Sequence, residues 1–72
     1  MNDDDVELSE RSARDRLAFL RQEHADLDAA IDAVALLPAP DMLLIGRLKR
    51  KKLAFKDEIS RLEDQLTPDI IA

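Results

Sequence analysis

The sequence predicts an all-α fold: an antiparallel two-helix hairpin with a coiled-coil-like seam. Three observations predict it. Two rows of mostly apolar residues repeat at alternating steps of four and three, the spacing of one stripe along a helix. Between them, Leu36-Leu37-Pro38-Ala39-Pro40-Asp41 is a segment through which no helix continues. The composition is helix-forming throughout, with one glycine, no tyrosine or tryptophan, and abundant leucine and alanine.

Residues 1–8 are acidic and have little to bury, so a frayed start is expected there. Asp5, Ser9 and Ser12 are each competent caps, and Ser12 with Asp15 forms a weak capping box, which places the first helix start between Val6 and Ser12. From there Ala13, Leu17, Leu20, His24, Leu27, Ile31 and Val34 hold one register to the end of a helix over about 9–37. Charged residues fill the positions between them and keep the outer face wet. Phe19 departs from that pattern and has two readings: cover for the groove between helices, or contact with a second chain.

The turn is expected at 38–40, and Asp41 is placed to cap a second helix over about 41–67. So short a connection makes the helices antiparallel neighbours. In the second helix Leu48, Lys52, Phe55, Ile59, Leu62 and Leu66 form the stripe, with Ile45 continuing it toward the turn. Thr67-Pro68 is the expected stop, followed by a tail over 68–72. Gly46 reads either as a tolerated surface glycine or as a point of close approach by another helix.

Folding back near Ala39 sets Val34 by Ile45, Ile31 by Leu48, Leu27 by Lys52, His24 by Phe55, Leu20 by Ile59, Leu17 by Leu62 and Ala13 by Leu66. The polar members, Lys52 and His24, fall in adjacent layers. At the flanks this register brings Arg16 toward Glu58, Arg21 toward Glu63, Glu23 toward Lys51, and Asp28 toward Lys49 or Lys56. Such exposed pairs are worth about 0–1 kcal/mol each, yet together they favour one register.

A chain of 72 residues buries only about 60% of its unfolded surface and has no cysteine to staple it. Oligomerisation is the remaining staple. Leu36, Leu37, Met42, Leu43, Leu44 and Ile45 put more apolar surface at the turn end than one seam covers, and Leu53, Ala54 and Phe19 add apolar area away from the central stripe. The expectation is a homo-oligomer, with a dimer of hairpins forming a four-helix arrangement favoured. The rival reading makes this tip the docking surface for a different protein.

His24 is the only histidine. Catalysis would need a pocket and a second acid or nucleophile, where the seam offers Phe55 and Leu20. Zinc would need help from carboxylates such as Glu23 and Asp28 or from a second chain, since no other histidine and no cysteine is present. The expected role is a packed ring that hydrogen-bonds Asp28 or another chain. Lys52 is expected to lay its stem over Leu27 and hold its ammonium at the edge, and Lys56 extends the same polar fringe.

Arg47-Leu48-Lys49-Arg50-Lys51-Lys52 is the densest charge run. Arg47, Lys49, Arg50 and Lys51 spread over a broad outer arc that could meet phosphate, a protein surface or water only. The formal net charge of -5 and the lack of an aromatic platform weigh against nucleic acid. No glycine-rich phosphate loop and no oriented nucleophile occur, so no enzyme activity and no cofactor is expected. The chain opens on Met1-Asn2-Asp3-Asp4-Asp5 and has no apolar run of the roughly 20 residues a membrane span requires. A cytoplasmic location without membrane contact is expected.

The segments His24-Ala25-Asp26-Leu27-Asp28-Ala29-Ala30-Ile31 and Leu48-Lys49-Arg50-Lys51-Lys52-Leu53-Ala54-Phe55-Lys56-Asp57-Glu58-Ile59, joined by a proline-bearing linker, resemble the YdcH-like family of small bacterial proteins. The resemblance covers about Arg16 to Leu66. Phe55 stands where the family more usually has leucine. The resemblance implies a cytoplasmic helical hairpin of coiled-coil character and carries over no catalytic or ligand residue. The function expected from all of this is that of a noncatalytic adaptor or regulator acting through self-association and protein contacts. The alternative is a nucleic-acid-associated accessory protein using the basic segment 47–52.

Overall fold

The computed structural model describes residues 3–66, with side chains for 9–66. Helix α1 spans Asp3–Ala35 and helix α2 spans Met42–Leu66. They pack side by side as a hairpin. At 1.5 Å per residue α1 is about 50 Å long and α2 about 38 Å. The molecule measures 57 × 26 × 14 Å, a single layer of helix.

The helix α1 begins upstream of the Val6 to Ser12 window. The run from Asp3 to Ser12 contains neither proline nor glycine, so nothing in it breaks the helix, and Ser9 and Ser12 are interior residues of α1. The frayed start expected over 1–8 falls where the side chains lie outside the described residues. The Thr67-Pro68 stop and the tail over 68–72 lie outside them as well.

At the other end α1 stops at Ala35 rather than Leu37. Pro38 disfavours a helical Leu37, and the chain leaves the helix two residues early. The Leu36 amide still donates to the Asp32 carbonyl at 3.2 Å, whereas the Leu37 amide donates to Val34 at 3.2 Å, a tighter turn. Asp41 then caps α2 as its position predicts. Its Oδ1 accepts the Leu44 amide at 3.0 Å, and its carbonyl accepts the Ile45 amide at 3.0 Å, the first bond of the helix.

All fourteen positions of the two expected rows are buried or half-buried, which is the seam read from the spacing. Leu17, Leu20 and Ile59 form the centre of the core, with Phe55, Leu62 and Leu66 packed against them. Ile31 and Ile45 are buried nearer the turn. Leu20 alone among the described residues is wholly out of water, at 0% exposure. Burying such a side chain contributes about 1.5–3 kcal/mol.

Two of the flanking pairs form as the register requires. Arg16 donates Nε to Glu58 Oε2 at 2.9 Å, and Arg21 donates an Nη to Glu63 Oε2 at 2.9 Å. The other two expectations need correction. Asp28 pairs with Lys52, not with Lys49 or Lys56, because the Lys52 ammonium emerges from the seam at the edge where Asp28 stands. Among the described residues Glu23 and Lys51 form no ion pair, since Lys51 is exposed on the outer side of α2. Gly46 has open space where a side chain would sit, so no helix of this hairpin approaches it.

Candidate functional site

A groove of about 880 Å³ runs along one broad face, between the seam and the turn. Its α1 bank consists of His24, Asp28, Ile31, Asp32 and Ala35, which recur at helical spacing. Its α2 bank consists of Lys49, Lys52, Leu53 and Lys56, likewise on one side of their helix. The two sequence motifs therefore bring His24, Asp28, Lys49, Lys52 and Lys56 to one place. The floor is apolar and the rims are charged, acidic on α1 and basic on α2.

The Asp28–Lys52 contact crosses the groove. The hydrogen bond from Lys52 holds the Asp28 carboxyl below the usual carboxylate range, against a smaller opposing effect of lost water, with the charges of Lys52 and His24 adding to the lowering. Lys52 thus rises from the seam with its ammonium at the rim, the expected disposition. His24 Nδ1 lies 3.9 Å from Asp28 Oδ2, too far for a hydrogen bond and close enough for attraction when the ring is protonated. Of the two expected partners for the ring, Asp28 makes only this looser contact through Oδ2, while its Oδ1 meets Lys52.

The turn end is apolar and open to water. Leu36 is 86% exposed, Leu43 75%, Met42 69% and Leu37 54%, with Leu44 less so at 36%. Ile45, counted with them as an interaction residue, is corrected: it is buried in the seam row and offers no surface. Leu53, one of the apolar residues away from the central stripe, is 61% exposed and lines the groove.

Phe19 is half exposed on the outside of α1, with the Arg16 guanidinium 5.4 Å from its ring centre. Arg16 thereby joins Phe19 to Glu58 on α2. The basic run divides around its helix: Lys49 faces the groove, whereas Arg47, Arg50 and Lys51 are exposed elsewhere on α2. Among the described residues none of these four forms an ion pair, and no group of three or more His, Asp or Glu side chains is placed to hold a metal ion. No helix among them is long and apolar enough to cross a membrane.

Fold and surface together define a small all-α hairpin protein whose polar motifs converge beside its seam. The family model described as "Protein of unknown function (DUF465)" matches residues 17–63, and the chain belongs to that family. The matched span takes in both motifs and the linker between them, in agreement with the YdcH-like resemblance. No curated protein and no solved structure matches the chain.

Proposed function

We propose that the protein is a noncatalytic adaptor or regulator that works in the cytoplasm through self-association and protein–protein contacts. One observation carries this reading: a single layer 14 Å thick leaves Leu36, Leu37, Met42 and Leu43 bare together at one end. Contiguous apolar surface of this kind marks a place where another protein sits. The hairpin supplies the frame, and its faces and tip supply the contacts. Sedimentation equilibrium over a wide concentration range tests it. The expected mass rises above the 8.1 kDa of one chain, and a folded monomer at every concentration overturns it.

A second reading, phosphate binding by a nucleic-acid-associated protein, is favoured by the exposed Arg47, Lys49, Arg50 and Lys51, which form no ion pair among the described residues. A mobility-shift titration across a salt series decides it. Binding that weakens steeply with salt supports phosphate contacts, and no binding at low salt removes them.

A further inference from the structure

The groove has banks of opposite sign, and that restricts what can lie on it. Among the described residues Asp32, Lys49 and Lys56 form no ion pair, so each is free to meet an outside charge. An occupant of single sign is attracted by one bank and repelled by the other. A fitting occupant sets positive charge over α1 and negative charge over α2, with apolar surface between to cover Leu53 and Ala35. The groove itself, turned by half a rotation, has that pattern.

We infer that a second copy of this chain closes over the groove about a two-fold axis parallel to the helices, laying each α1 across the partner's α2 and each Asp32 against a Lys49. This rests on the self-association reading above and assigns its face and geometry. Asp28 and Lys52 meet across the groove, and Asp32 lies one turn beyond Asp28 just as Lys49 lies one turn before Lys52, so Asp32 and Lys49 stand at similar heights along the hairpin. A rotation that preserves height therefore brings the two together twice, once on each side of the axis. It also places Leu53 of each copy over the partner's groove. A two-fold axis running across the helices instead lays each α1 on the partner's α1, setting Asp28 and Asp32 toward carboxylates and Lys49 and Lys56 toward lysines. A broad face of 57 × 26 Å has room for the roughly 800 Å² per partner that a specific interface buries.

Charge reversal tests the geometry, because an isologous interface responds to it in a characteristic way. Asp32→Lys alone sets lysine against lysine in both symmetry-related pairs, and Lys49→Asp alone sets aspartate against aspartate. Both positions are exposed, so circular dichroism should show helicity retained. Each single variant should dissociate on the order of tenfold or more readily than the native protein in sedimentation equilibrium. An equimolar mixture of the two should recover the native dimer mass, since both pairs are then of opposite sign. Native-like association of either single variant alone, with the native protein dimeric, overturns the assigned face and leaves self-association standing. Weakened single variants that fail to recover on mixing overturn the two-fold geometry. A native protein that stays monomeric overturns both the inference and the reading beneath it.

Discussion

Leu20 and Asp28 represent the two kinds of residue that hold the hairpin together. Leu20 is enclosed by Leu17, Ile59 and the half-buried side chains around them. Its truncation leaves a hole that a single-layer seam closes only in part. Leu20→Ala should cost about 2–5 kcal/mol, read as an earlier urea midpoint at unchanged slope. Asp28 acts through charge. Its carboxyl is held low in the folded chain chiefly by the Lys52 hydrogen bond, so its contribution is present above the unfolded carboxylate range and lost as pH falls through the folded value. Asp28→Asn should therefore lower the melting temperature slightly at neutral pH. The gap from the native protein should close as the solution is acidified below the usual carboxylate range, which paired melts across a pH series will show.

At the scale of the elements, the helix ends and the lone glycine are the adjustable parts. The Asp41 side chain satisfies an amide in the first turn of α2 that otherwise has no partner in the helix. Asp41→Ala should cost about 1 kcal/mol by denaturant unfolding. Gly46 sits within α2 with nothing near its missing side chain, so Gly46→Ala should stabilise the hairpin by about 0.5–1 kcal/mol in the same measurement. The two helix ends that face the turn were legible in the sequence to within two residues, whereas the start of α1 was not, since neither Ser9 nor Ser12 ends the helix. The cap at Asp41 was legible because it depends on neighbours in sequence. The early exit at Ala35 was not, since Pro38 restricts Leu37 without stating how many residues the chain gives up.

For the whole molecule, the seam was readable because apolar spacing fixes which side of each helix turns inward. Spacing does not fix how close two long side chains come across that seam. That is why Arg16 and Arg21 met their expected partners whereas Asp28 met Lys52, and why the groove became visible only when both helices were in place. The exposed turn end bears on stability as well as contact. If chains associate, the melting temperature should rise with protein concentration, as differential scanning calorimetry over a hundredfold range, roughly, will report. The scarcity of enclosed side chains has a thermal consequence too. With Leu20 the one wholly enclosed residue described, melting a lone hairpin hydrates little new hydrocarbon, and its heat-capacity step is small. Its free energy should then vary gently with temperature, giving a broad thermogram and little tendency to unfold on cooling.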